Sequence, residues 1–106
     1  MDVGAVTCMR VAKRMDVETV ADIRLELKPL LSTPGHVVLD LRGARMDTSG
    51  LGAVISMKWR LEQLGRKLVV VGDEPGLRSL VERAGVGCYL PVYTDMDEAR
   101  MTLAAA

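Results

Sequence analysis

A chain of 106 residues is long enough to close one hydrophobic core and too short for two, so a single domain over residues 1–106 is expected. A composition of 49% hydrophobic and 26% charged residues is that of a globular fold, and fourteen basic residues against fourteen acidic ones leave no net charge to attract nucleic acid. With 3% aromatics and no Phe the stacking platforms of single-strand binders are missing, and no apolar run approaches the ~20 residues that span a bilayer. The N-terminus has no basic region leading into an apolar stretch, which predicts a cytoplasmic protein without membrane insertion.

Val6 to Ala12 reads as a strand, with Val6, Cys8 and Arg10 on one face and Thr7, Met9 and Val11 on the other; a short partner strand around Asp2-Val3 would place Gly4 in a turn. Asp16 is then expected to cap a first helix, with Glu18 early in it where a negative charge suits the dipole. Val20, Ile23, Leu27, Leu30 and Leu31 repeat at three- and four-residue steps and carry that helix to about Leu31, where Ser32-Thr33-Pro34-Gly35 stops it. His36 to Leu41 is a nearly continuous apolar strand, as expected when helices cover both faces. His36, the only histidine, has no second histidine or paired carboxylate beside it and is read as a strand-end residue.

A second helix is predicted from about Ser49 to Leu64, with Gly65 at its C-terminal stop. Met57, Lys58 and Trp59 are consecutive on it and cannot all face the sheet, so Trp59 is either an exposed anchor for a partner or an indole tucked against a neighbouring helix. Leu68-Val69-Val70-Val71 is a buried strand, and Gly72 and Asp73 turn into a third helix with Pro75 in its first turn and a core face of Leu77, Leu80, Val81 and Ala84. After Gly85 and Gly87, Cys88 to Val92 reads as a last strand. Asp95 and Glu98 open a final helix ending near Leu103, with Met96, Ala99 and Leu103 inward. Cys8 and Cys88, far apart and without metal-ligand spacing, are expected to be buried thiols rather than a bridge. Strands and helices alternate, and right-handed crossovers turn this into an α/β fold with a mixed, mainly parallel sheet of four to five strands and about four helices.

The chemistry centres on Met46-Asp47-Thr48-Ser49-Gly50-Leu51-Gly52, where a strand delivers a helix. Asp47, Thr48 and Ser49 are all good caps, and a hydroxyl at the positive end of a helix is also a place where phosphate can be added and held. Ser49 to Gly52 could alternatively offer backbone N–H groups to a nucleotide phosphate. Catalytic and metal signatures are missing: there is no G-x-S-x-G elbow, no CxxC and no Gly-rich loop ending in Lys-Ser or Lys-Thr, so no catalytic residue, metal ligand or cofactor is expected.

From about Val6 onward the chain resembles the STAS domain of bacterial anti-sigma factor antagonists, most densely in Val37-Val38-Leu39-Asp40-Leu41 and in the heptapeptide, which is similar to that family's Asp-Ser-Ser-Gly-Leu-Gly phosphorylation motif. The resemblance implies a single STAS-type α/β domain and a non-enzymatic, phosphorylation-switched module. Its acceptor, the residue after the motif's aspartate, falls on Thr48, with Ser49 as the alternative. The implied partners are an anti-sigma factor serine/threonine kinase, bound when Thr48 is unmodified, and a phosphatase. The implied surface takes in Arg14, Asp16, Met46, Asp47, Thr48, Ser49, Gly50 and, from the helix, Trp59. This sequence departs from the pattern in having Lys13 where many members have glycine, Met15-Asp16 for a Leu-Asp pair, and Thr as acceptor rather than the commoner Ser. Two other roles belong to the same resemblance: an unphosphorylated STAS subunit of a stress-signalling or lipid-transport assembly, and a nucleotide-binding STAS domain.

Overall fold

The computed structural model describes residues 5–72 and 75–104. Four strands, β1 (Val6–Arg10), β3 (His36–Asp40), β5 (Leu68–Val71) and β6 (Val92–Tyr93), form one sheet in the order β1-β3-β5-β6. All three pairings are parallel, with Cys8 opposite Val38, Val38 opposite Val69 and Val70 opposite Val92. The central strands read as unbroken apolar runs because helices cover both faces. On one face Val37, Leu39, Leu68 and Val70 pack against α1 (Val20–Leu27), α2 (Thr48–Gln63) and α3 (Pro75–Arg83) through Ile23, Leu27, Val54, Leu61, Leu77 and Val81. On the other, Val38, Val69 and Val71 pack with buried Ala99 and Leu103 of α4 (Met96–Ala104), and half-buried Val6, Tyr93 and Met96 flank them. A second sheet of two parallel two-residue strands, β2 (Arg14–Met15) and β4 (Arg45–Met46), stands beside the first.

Several expectations shift by a turn. The first helix is α-helical only to Leu27 and continues as a 3₁₀ segment over Lys28–Ser32, because Pro29 has no N–H for the α-helical ladder. Thr19, not Asp16, occupies its N-cap position; Asp16 caps the turn before it, accepting from the Glu18 and Thr19 amides at 3.0 and 3.2 Å. The expected strand from Cys88 to Val92 shrinks to Val92–Tyr93, since the Tyr89 and Leu90 amides both donate to the Val86 carbonyl and wind the chain into a turn. Both cysteines are exposed rather than buried: Cys8 lies on the edge strand outside the buried cluster under α4, its sulfur accepting from the Arg100 guanidinium of that helix at 3.3 Å, and Cys88 lies in that turn. The strand considered at Asp2-Val3, the Gly4 turn and Asp73 lie outside the described residues. Two cross-links fix the frame. His36 Nδ1 accepts from the Lys67 amide at 2.9 Å, a strand-end role. Buried Arg66 donates to the carbonyls of Leu30, Leu31 and Gly35 and to the Thr33 hydroxyl, pinning the 3₁₀ segment to the start of β5.

Candidate functional site: the start of helix α2

The chain leaves β3 through an anchored turn. Asp40 is 4% exposed, yet its carboxylate accepts from the Arg42 amide and from the Arg42 guanidinium at 2.9 and 2.8 Å. These bonds, aided by the charge of Arg10, outweigh burial and hold its pKa below the ordinary 3.8. Gly43, at a φ of +85°, supplies the left-handed residue that brings the chain into β4. There Arg45 and Met46 lie opposite Arg14 and Met15.

Asp47 then starts α2. Its backbone is extended (φ −109°, ψ −170°), and Oδ1 accepts from the Ser49 and Gly50 amides at 2.9 and 3.2 Å, two of the N–H groups that a helix start leaves unpaired. The other oxygen, Oδ2, accepts from the Val17 amide at 3.3 Å, and the Asp47 N–H donates to the Met15 carbonyl at 3.2 Å. One side chain thus joins the helix start to the loop between β2 and α1. Because Asp47 is the cap, the helix begins at Thr48, one residue before the expected Ser49. Thr48 is the first helical residue and is exposed; Ser49 is half-buried and Gly50 buried. Gly50 lies beneath the surface rather than on it: a Cβ there would stand 2.1 Å from the Met15 carbonyl oxygen. The amides of Ser49, Gly50 and Leu51 are all taken by Asp47, which leaves none of the three to a nucleotide phosphate.

Around Thr48 the charges are mixed. Arg14 bridges to Asp16 at 2.8 Å and to Glu18 at 3.2 Å, while Arg45 makes no side-chain hydrogen bond or ion pair among the described residues. A shallow cavity of about 290 Å³ is lined by Arg14, Asp16, Arg45, Met46 and Asp47, so four of the residues expected at the surface are brought together, with Arg45 as an unexpected fifth. Trp59 lies eleven residues along α2, about 16 Å from Thr48 at the helical rise. At 100° per residue those eleven steps return it to nearly the same direction as Thr48, opposite the buried Ala53, Val54, Met57 and Leu61. Trp59 is accordingly 58% exposed, which selects the exposed of its two expected placements. Gly52 and half-buried Ile55 fall on the same stripe, and a Cβ at Gly52 would meet nothing within 4 Å. Val17, 70% exposed beside the Asp47 cap, extends it. Gly52 belongs to the heptapeptide, but its place on this stripe, like that of Ile55, shows only on a helical wheel drawn from Thr48, whereas Val17 is placed only by its long-range bond. Among the described residues no cluster of His, Cys, Asp or Glu is placed to hold a metal, and no helix is long and apolar enough to cross a membrane.

Comparison with known proteins agrees with this architecture. The chain is 25% identical over 91 residues to an anti-sigma F factor antagonist of Paenibacillus polymyxa, spanning 83% of this chain and 78% of that one. The crystal structure of a sulfate transporter family protein from Wolinella succinogenes superposes with a TM-score of 0.76 at 20% identity, covering 95% of this chain and 88% of the other, a likeness of fold. The family model of the STAS domain matches residues 2–99, and with nearly the whole described sheet and the α2 start inside that match, the chain belongs to the STAS domain family.

Proposed function

We propose that this STAS domain is a phosphorylation-switched, non-enzymatic protein-binding module of the anti-sigma factor antagonist type, which binds an anti-sigma factor kinase when Thr48 is unmodified and is reset by a phosphatase. The observation that carries the reading is the exposed Thr48 at the first position of a helix whose cap is supplied by its neighbour Asp47. Its hydroxyl is therefore not needed for the fold. Phosphate there would add about two negative charges at the positive end of α2, favoured by roughly 0.3 to 1 kcal/mol, while Asp47 and Asp16 oppose it. The fold survives either way and the contact surface changes in bulk and sign. The outward stripe of Thr48, Gly52, Ile55 and Trp59 is the face on which such a partner would sit. The partial identity to an anti-sigma F factor antagonist supports the partner class.

The test is incubation with a candidate anti-sigma factor kinase and ATP, followed by mass spectrometry of the peptide spanning Arg45 to Lys58. Thr48→Ala should abolish phosphate incorporation, and Ser49→Ala should reduce it at most partially. Thr48→Glu should keep the wild-type circular dichroism spectrum and melting temperature while weakening capture of the kinase. Equal capture of wild type and Thr48→Glu would refute the switch; fragment ions placing phosphate on Ser49 would refute the assignment.

A further inference from the structure

A second cavity shares Arg45 and Met46 of β4 with the cavity beside the Thr48 helix start. It holds about 420 Å³ and runs between α3, through Gly76, Leu77, Leu80 and Arg83, and the segment from the end of β3 through β4, through Leu41, Ala44, Arg45 and Met46. This volume is within the range of about 300 to 1,000 Å³ usual for small-molecule sites. Its floor is apolar: Leu41, Ala44 and Leu77 are buried, and Leu80 and Met46 are half-buried, so their free sides face the groove. Its rim carries two cations. Arg45 and Arg83 are exposed, and neither guanidinium has a hydrogen-bond or ion-pair partner among the described residues, nor is any described lining residue acidic. A guanidinium remains charged throughout the accessible pH range and presents a fork matched to a carboxylate.

We propose that this groove binds a small amphiphilic anion, an apolar chain or ring ending in a single carboxylate, with the apolar body on Leu41, Leu77 and Leu80 and the head between Arg45 and Arg83. The inference does not rest on phosphorylation of Thr48. It does give the ligand a route to that site: Arg45 and Met46 wall both the 420 Å³ and the 290 Å³ cavities, and the next residue is the Asp47 cap.

The test is a titration of the ¹⁵N-labelled chain with octanoate below its micelle concentration, with octanol as the uncharged body and acetate as the bare head. Octanoate should give saturable amide shifts at Leu41, Ala44, Met46, Leu77 and Leu80, with weaker displacements at Asp47 and Ser49. Octanol, which offers no charge to either guanidinium, should bind more weakly, by about fivefold for each of the two ion-pair contacts it cannot make, and acetate should leave the apolar floor unshifted. Arg83→Ala, a change on an exposed side chain, should weaken octanoate by about fivefold without altering the remaining spectrum, and Arg83→Lys should recover part of the loss. Octanoate and octanol binding equally, shifts that do not saturate, or indifference to Arg83→Ala would each overturn the proposal. So would failure of octanoate to bind while Arg83→Ala weakens capture of a protein partner, which would assign the groove to a protein interface and leave the reading of Thr48 intact.

Discussion

Two glycines of α2, two residues apart, should respond in opposite directions to the same substitution. At Gly52 a Cβ would meet nothing within 4 Å, so Gly52→Ala gains only the helix propensity of alanine, a stabilisation of about 0.8 to 1 kcal/mol. At Gly50 the same methyl would stand 2.1 Å from the Met15 carbonyl oxygen and 2.8 Å from its Cβ. Backbone cannot rotate aside, so α2 must retreat from β2, and overpacking of this kind costs about 1 to 3 kcal/mol or more. A 2.1 Å approach to backbone belongs at the upper end of that range, so after the propensity gain a net loss of about 2 kcal/mol remains, which separates the two variants by about 3 kcal/mol. For a domain of this size that is a gap of about 8 °C or more in melting temperature. Thermal and urea denaturation followed by circular dichroism measure it. A Gly50→Ala protein as stable as wild type would refute the claim that α2 needs a side-chain-free residue against β2. Gly52→Ala carries a functional arm as well: it adds bulk to the stripe between Thr48 and Trp59 and should weaken partner capture in spite of greater stability.

Trp59→Ala should cost less than about 1 kcal/mol of stability, and the wild-type indole should emit at the long wavelengths of a solvated tryptophan; a blue-shifted emission with a loss of about 3 kcal/mol would place it in the core. Arg66→Ala should cost about 3 kcal/mol or more in denaturant unfolding, because it abandons three carbonyls and a hydroxyl, and Arg66→Lys should restore only part since an ammonium lacks the planar fork. Asp40→Asn should be about 1 to 2 kcal/mol less stable than wild type at neutral pH. Because the folded carboxyl titrates below 3.8, that advantage is fully present above 3.8 and is lost as pH falls through the lowered folded value, so acid titration of the two proteins should converge there.

Periodicity made the large elements legible. The apolar runs at Val37 to Leu41 and Leu68 to Val71 and the helical stripe from Val20 need no tertiary information, because one layer of core specifies each. The two-residue ladder of β2 and β4 was invisible, since two residues have no period. Burial of Cys8 and Cys88 was misread for a related reason. Strand-like apolar surroundings predict a covered residue, but α4 reaches Cys8 only with the Arg100 guanidinium rather than with its buried face, and Cys88 falls in a turn instead of a strand. At the site, the heptapeptide marked the helix start to within one residue. Three consecutive capping side chains, Asp47, Thr48 and Ser49, are degenerate in sequence, and only the extended backbone of Asp47 and its bonds to Ser49 and Gly50 single out the cap.

The bond from the Val17 amide to Asp47 Oδ2 has a kinetic consequence. It ties the loop before α1 to the start of α2, so a protein docking on the proposed face would meet Val17 and Thr48 already at fixed spacing and would spend little ordering entropy on either. Association should then proceed in a single bimolecular phase without a slower isomerisation, and modification of Thr48 should act on the dissociation rate and on close approach rather than by reshaping the domain. Breaking that one link with Asp47→Asn, which keeps an oxygen for the cap but can turn its amide toward Val17, would loosen the loop and introduce the missing slow phase.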